Sequence, residues 1–198
     1  MLKFSRQILA FRFPHERDHK RMTANQLLYP TILFDWGDTV MRDDPALTVP
    51  MVEWQTVEII DGIVDVLEYL RSSGRRAILA TSAEISDESQ IRGALARVSL
   101  DEYFSHIYCF KNTQLPKGEE FYRHILRDLG IPATDTLMVG DSFPKDVQAA
   151  NAVGIFAVLF NQKSEETRQG DLYVTVHSMP ELHMFFESLD QKNYPPKG

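Results

Sequence analysis

Six short runs rich in β-branched and aromatic residues punctuate the chain: "TILF" (31–34), "RAILA" (76–80), "HIYCF" (106–110), "TLMV" (136–139), "IFAVLF" (155–160) and "LYVTV" (172–176). Between them, apolar residues recur at helical spacing. This alternation constrains the fold most, because nearly continuous apolar strands must be covered on both faces and the intervening helices supply the cover. In "IIDGIVDVLEYLRSSG", Ile60, Ile63, Leu67 and Leu70 share one face and Gly74 closes the helix. A second helix is expected over 87–98 with Ile91 and Leu95 inward, and a third after Lys117 carrying Phe121, Ile125 and Leu129. "PKDVQAANAVG" reads as a short helix begun by Pro144 and ended by Gly154. In "SMPELHMFFESL", Ser178 and Glu181 have capping-box spacing. The expected architecture is a three-layer α/β domain with a mainly parallel sheet.

With 198 residues, 43% of them apolar and 25% charged, the chain can bury one ordinary core. No apolar run approaches the ~18 residues of a membrane span. The single cysteine, Cys109, lies in the apolar "HIYCF" run, where core packing is its expected role; it excludes an internal disulfide and makes the cytoplasm the expected compartment. Residues 1–21 hold six Lys and Arg against two acids, a local +4, which leaves −11 of the net −7 to the remainder. So acidic a body disfavours nucleic acid as a partner. We divide the chain into a basic extension over 1–30, a catalytic domain over 31–190 and a tail over 191–198. The extension is either a loosely packed segment or an amphipathic arm for a membrane surface or partner.

In open parallel sheets, ligands bind beyond the carboxyl ends of the strands. Asp35 and Asp38 follow "TILF", Thr81 and Ser82 follow "RAILA", Lys117 lies beyond "HIYCF", and Gly140, Asp141, Ser142 and Asp146 follow "TLMV". Carboxylates brought together repel unless a cation intervenes, and an oxygen-only set suits Mg²⁺. A lysine and a hydroxyl beside them suit a phosphoryl group, whose oxygens need donors and positive charge.

The motifs "FDWGDTV", "LATS", "LPKGEEFY" and "MVGDSFPKDVQAANAVGI", in this order, resemble the four motifs of the haloacid dehalogenase (HAD) superfamily over residues 31–189. That resemblance implies a Rossmann-like (HAD-like) three-layer fold without a large cap domain, and an Mg²⁺-dependent phosphomonoester hydrolase working through an aspartyl-phosphate. Asp35 would be the nucleophile, and Thr81 the hydroxyl donor to the phosphoryl oxygens with the Ser82 amide nearby. Lys117 would be the neutralising cation and Asp141 a metal ligand. Asp146 would be either a second ligand or the group that orients Lys117. In the family, the residue two after the nucleophile also binds Mg²⁺ through its carbonyl, which Gly37 retains.

Family phosphatases usually carry an acid–base aspartate at that position, and Gly37 cannot supply it. Branches lacking it hydrolyse carbon–halogen or carbon–phosphorus bonds, and a catalytically weakened binding or regulatory protein is a further alternative. Those branches rely on an inserted helical cap, for which residues 41–80 and 83–116 leave no room. The stretch "MRDDPALTVPMVEWQTVE" (41–58) remains as a flap that can bring Asp43, Asp44 or Trp54 over the site. An open pocket favours bulky or macromolecular phosphoesters, or completion by a partner subunit in a homo-oligomer. Asp38 is expected to be a turn residue, because the carboxylate sharing a face with Asp35 would come from position 37.

Overall fold

A computed structural model of the chain describes residues 27–193. The basic segment 1–21 and the end of the tail lie outside the described residues. Seven strands, β1 (Thr31–Phe34), β2 (Arg76–Ala80), β3 (Phe104–Tyr108), β4 (Thr136–Gly140), β5 (Phe156–Phe160), β6 (Gln169–Gly170) and β7 (Tyr173–Val176), form one sheet in the order β3-β2-β1-β4-β5-β7-β6. All neighbours are parallel except β6 and β7. The helices are α1 (Ile63–Ser72), α2 (Glu88–Ala96), α3 (Phe110–Thr113), α4 (Glu119–Leu129), α5 (Ala149–Asn151) and α6 (Met179–Asn193). A π-helical turn, Phe143–Gln148, runs into α5.

Because strand side chains alternate, each central strand feeds two cores. Ile32, Phe34, Leu79, Val139 and Val158 pack with Leu67, Ile91, Leu95 and Phe185 on one face. Leu33, Ile78, Met138 and Ala157 pack with Phe121, Tyr122, Ile125 and Val147 on the other. The three-layer α/β architecture expected from the sequence is the one found. No helix among the described residues is long and apolar enough to cross a membrane.

The local departures have local causes. The third strand lies two residues earlier than "HIYCF", since Asn112 and Thr113 take over the Cys109 backbone: Cys109 N–H donates to Asn112 Oδ1 (2.9 Å) and Thr113 Oγ1 donates to Cys109 O (2.8 Å). Helix α1 starts at Ile63 instead of at Ile60 because Gly62 adopts φ +86° before it. Helix α2 has the reciprocal Asp87–Gln90 box at its start. At α6, Ser178 Oγ accepts from the Glu181 amide, while Glu181 Oε2 accepts from the His177 amide rather than from Ser178.

One polar contact inside the fold was invisible in the sequence. Arg75, with a fully buried side chain, donates to Asp190 Oδ1 (2.6 Å) and Oδ2 (2.9 Å), to Ser73 Oγ and to the Leu28 carbonyl. Tyr69 donates to the same Asp190 Oδ2 at 2.6 Å. The start of β2, α1 and the end of α6 are thereby joined. Burial alone would raise the Asp190 pKa, but the hydrogen bonds from Arg75 and Tyr69 and the Arg75 charge hold it below the ordinary carboxylate range. This contribution to stability is therefore present above the unfolded value of about 3.9 and lost as pH falls through the lower folded value. Asp190→Ala, which leaves the guanidinium buried without its carboxylate, should cost about 3 kcal/mol in chemical denaturation at pH 7. The difference in melting temperature between wild type and Asp190→Asn should shrink below pH of about 4.

Candidate functional site

The register of the central strands places the polar residues. Phe34 pairs with Leu79 on one side and Val139 on the other, so Asp35 stands level with the last residues of β2 and β4. Its N–H continues the ladder to Val139 O at 2.9 Å. Thr81 and Asp141 follow one residue beyond the ends of β2 and β4, and the Thr81 N–H extends β2 onto Tyr108 O at 2.9 Å. Asp35, Gly37, Thr81, Ser82, Lys117, Asp141 and Asp146 all line one open cavity of about 340 Å³ at this sheet edge. Thr81 Oγ1 accepts from the Ala83 N–H (3.1 Å), which leaves its own proton to donate.

Lys117 comes from the loop between α3 and α4, and its side chain is 1% exposed. Its Nζ lies 2.6 Å from Asp35 Oδ1, donating a hydrogen bond, and 2.5 Å from Asp146 Oδ1, an ion pair without regular hydrogen-bond geometry. Burial would pull the Lys117 pKa down, yet the two carboxylates outweigh it and hold the pKa above the ordinary lysine value, so the group is a cation. Asp146 is 1% exposed. Burial pushes its carboxyl up and Asp35 adds to this, whereas Lys117 and the Ser142 N–H, which donates to Oδ2 at 2.9 Å, pull it down. Burial likewise raises Asp141, with the charges of Asp35 and Asp38 adding. A Cβ on Gly140 would overlap the Asp146 carboxylate and lie 2.7 Å from its Cβ. Glycine at the end of β4 is what lets Asp146 fold back over the strand.

Asp35, Asp141 and Asp146 each offer an oxygen within 4.8 Å of the others. Three carboxylates against one lysine leave an excess of negative charge in a partly dehydrated pocket, and the donors are all hard oxygens. A divalent cation such as Mg²⁺ fits both facts.

Asp38 lines the same cavity, but its carboxylate is engaged outside this cluster. It takes the left-handed conformation (φ 53°), its Oδ1 accepts from the Asp43 amide (3.2 Å), and its Oδ2 pairs with Lys163 (3.1 Å). The flap expected to bring Asp43, Asp44 or Trp54 over the site does place all three at the pocket, while other features escaped the sequence reading. Lys145 lines the pocket as a second cation. Tyr122, fully buried beside the site, donates to Lys145 O at 3.0 Å. Burial raises the Asp43 carboxyl, with the charges of Asp38, Asp35 and Asp44 adding and the Asp44 amide opposing. The segment over the pocket is also pinned: Arg97 on the C-terminal side of α2 donates to the carbonyls of Val52 (3.1 Å), Trp54 (2.6 Å) and Gln55 (3.0 Å). The flap itself was expected from the stretch 41–58; its pinning by Arg97 had no signal in the sequence.

A structure of an uncharacterized protein from Listeria monocytogenes serotype 4b is similar to this chain, with 20% identity, a TM-score of 0.70, and coverage of 81% of this chain and 98% of that one. A HAD phosphatase from Thermococcus onnurineus aligns at 18% identity and TM-score 0.63 over 78% of this chain and 96% of its own. A magnesium-bound HAD-hydrolase from Bacillus subtilis aligns at 15% identity and TM-score 0.64, over 80% and 99%. These likenesses establish the fold. A search of curated protein sequences gave no significant match. The model of the haloacid dehalogenase-like hydrolase family matches residues 47–160, more than half of the chain and including Thr81, Lys117, Asp141 and Asp146. The chain belongs to the haloacid dehalogenase-like hydrolase family.

Proposed function

We propose that the protein is an Mg²⁺-dependent phosphomonoester hydrolase with Asp35 as nucleophile. The observation that carries this reading is the Asp35 carboxylate held 2.6 Å from a buried lysine at the base of an open pocket, beside a threonine hydroxyl with a proton to donate. Asp35 attacks phosphorus, the bond to the ester oxygen breaks with its electron pair leaving on that oxygen, and water then attacks the aspartyl-phosphate to release phosphate and restore the carboxylate. Lys117 and Thr81 face the charge that builds on the phosphoryl oxygens, and Ser82 lies beside them. Asp35, Asp141 and the Gly37 carbonyl would hold Mg²⁺, with Asp146 orienting Lys117 and standing close enough to assist. Bound there, the ion would supply positive charge against the phosphoryl oxygens in a pocket where carboxylates outnumber lysines.

The mouth of the pocket bears on substrate class. Leu47, Val49 and Ile85 are 42%, 43% and 51% exposed, and all three line it together with Met51 and Trp54. A phosphoester with an apolar group gains from covering them, by ~25 cal/mol per Å² of apolar surface removed from water. No cap closes the site among the described residues, so that group can be large.

Hydrolysis of an aryl phosphate should require Mg²⁺, stop on addition of EDTA, and fall by ~10³-fold or more in Asp35→Asn, as when a covalent nucleophile is removed. Unchanged turnover in that variant would exclude the reading. Mg²⁺ should raise the melting temperature of the wild type and not that of Asp141→Ala. Gly140→Ala should expel Asp146 from its seat, cost about 1–3 kcal/mol by overpacking, and abolish the same Mg²⁺-dependent rise in melting temperature.

A further inference from the structure

The mechanism above leaves one proton without a carrier. An alkoxide departs poorly unless it is protonated, and the water of the second step attacks poorly unless a base receives its proton. Gly37 offers nothing beyond its backbone, yet the space beside it is filled. A Cβ built on Gly37 would meet Asp43 Cβ and Oδ2 at 3.2 Å and Asp43 Cγ at 3.3 Å. The carboxylate of residue 43 thus stands against the position from which a side chain at residue 37 would extend.

A reversal of the chain just after β1 delivers it there. Val40 N–H and Met41 N–H both donate to Trp36 O, at 2.9 and 3.0 Å, and Asp38 N–H donates to Met41 O at 2.7 Å. The buried Trp36 indole N–H donates to Met41 Sδ (3.3 Å), and Gly37 and Met41 form a bridge. Asp38 then receives the Asp43 amide on Oδ1, which fixes the return. The other two acids of this loop are engaged: Asp38 with that amide and with Lys163, and Asp44 through Oδ1 with the Ala46 amide (2.9 Å). The Asp43 carboxylate meets the Asp44 amide but no side chain among the described residues bonds to or pairs with it, and it lines the pocket alongside Asp35.

We propose that Asp43 is the acid–base residue of this site, supplied from the loop because residue 37 is glycine. The role rests on the phosphomonoester hydrolase reading. As the bond from phosphorus to the ester oxygen breaks, the Asp43 carboxyl passes its proton to that oxygen and the alcohol leaves neutral. The resulting carboxylate takes a proton from the water that attacks the aspartyl-phosphate, so Asp43 is protonated again when phosphate departs and Asp35 is free. Asp38 is a positioning residue for this group.

The test compares an alkyl phosphate with p-nitrophenyl phosphate, whose leaving group departs without a proton. In Asp43→Asn, kcat/KM for the alkyl ester should fall by ~10²- to 10⁴-fold, the usual range for a general acid or base, and that for the aryl ester by less than tenfold. Residual aryl turnover also reports that the variant is folded. Gly37→Asp in an Asp43→Ala background should recover most of the alkyl turnover, whereas Gly37→Asp alone, which crowds Asp43, should not raise it. Equal losses for both esters, no loss for either, or a selective alkyl loss in Asp38→Asn with none in Asp43→Asn would each overturn the assignment. Absence of turnover of both esters by the wild type with Mg²⁺ would instead overturn the hydrolase reading, and this role with it.

Discussion

A lysine ammonium with 1% of its side chain exposed, pressed between Asp35 and Asp146, is the interaction on which the functional end of this molecule depends. Taking an ammonium out of water costs several kcal/mol, and a single carboxylate does not reliably offset that. Two do, and they come from different parts of the chain, one at the end of β1 and the other from the π-helical turn after β4. Lys117 itself arrives from the loop before α4. The ion pair therefore ties the mouth of the sheet together from both of its central strands and from the helix layer covering one face. Asp141 brings a third carboxylate without a matching cation, so the arrangement that stabilises Lys117 leaves the pocket short of positive charge. A divalent cation would answer that imbalance.

Two glycines at strand ends do the same job by different routes. At Gly140, the missing Cβ lets Asp146 lie directly over β4 and accept the Ser142 amide while reaching Lys117. At Gly37, the missing side chain leaves room for Asp43, which returns after a tight reversal. Each position gives up its own side chain and gains a carboxylate from several residues further on. Reading such a site from its motif alone registers the absence at 37 and overlooks what occupies the vacated volume, because the compensating residue lies outside the motif in sequence.

That contrast marks how much was legible. Five of the six strand candidates were placed to within a residue or so, since each is an apolar run bounded by turn residues and buried on both faces; "HIYCF" misled because Asn112 and Thr113 claim the Cys109 backbone through side-chain hydrogen bonds that hydrophobicity does not register. The residues assembled at the pocket were also readable, as polar positions just beyond strand ends are few and parallel register brings them together. What escaped were contacts between segments far apart in sequence. Arg75 and Asp190 are separated by 115 positions and look in the sequence like ordinary surface charges. Tyr122 sits next to Phe121 on α4 and reads as core packing, which it also is. The expected regular helix in "PKDVQAANAVG" opens as a π-helical turn, and Asp146, central to the charge cluster, lies within that turn.

The segment over the pocket shows how a chain without an inserted cap can still build a wall. Residues 41–58 contain two prolines and only one short helical turn, Met51–Glu53, so local propensity would leave them loose. They are held instead from both ends: Met41 bridges to Ile59, and the Arg97 guanidinium gathers the carbonyls of Val52, Trp54 and Gln55, while Val52 packs against the helix at Gly93, where a Cβ would lie 2.9 Å away. Between those anchors lie Leu47 and Val49, both exposed and both lining the pocket. Their exposure places apolar surface beside a charged pocket. The same tethered segment thus presents the carboxylate of Asp43 at one end and an apolar lip in its middle, the two features that a phosphoester's leaving group would meet.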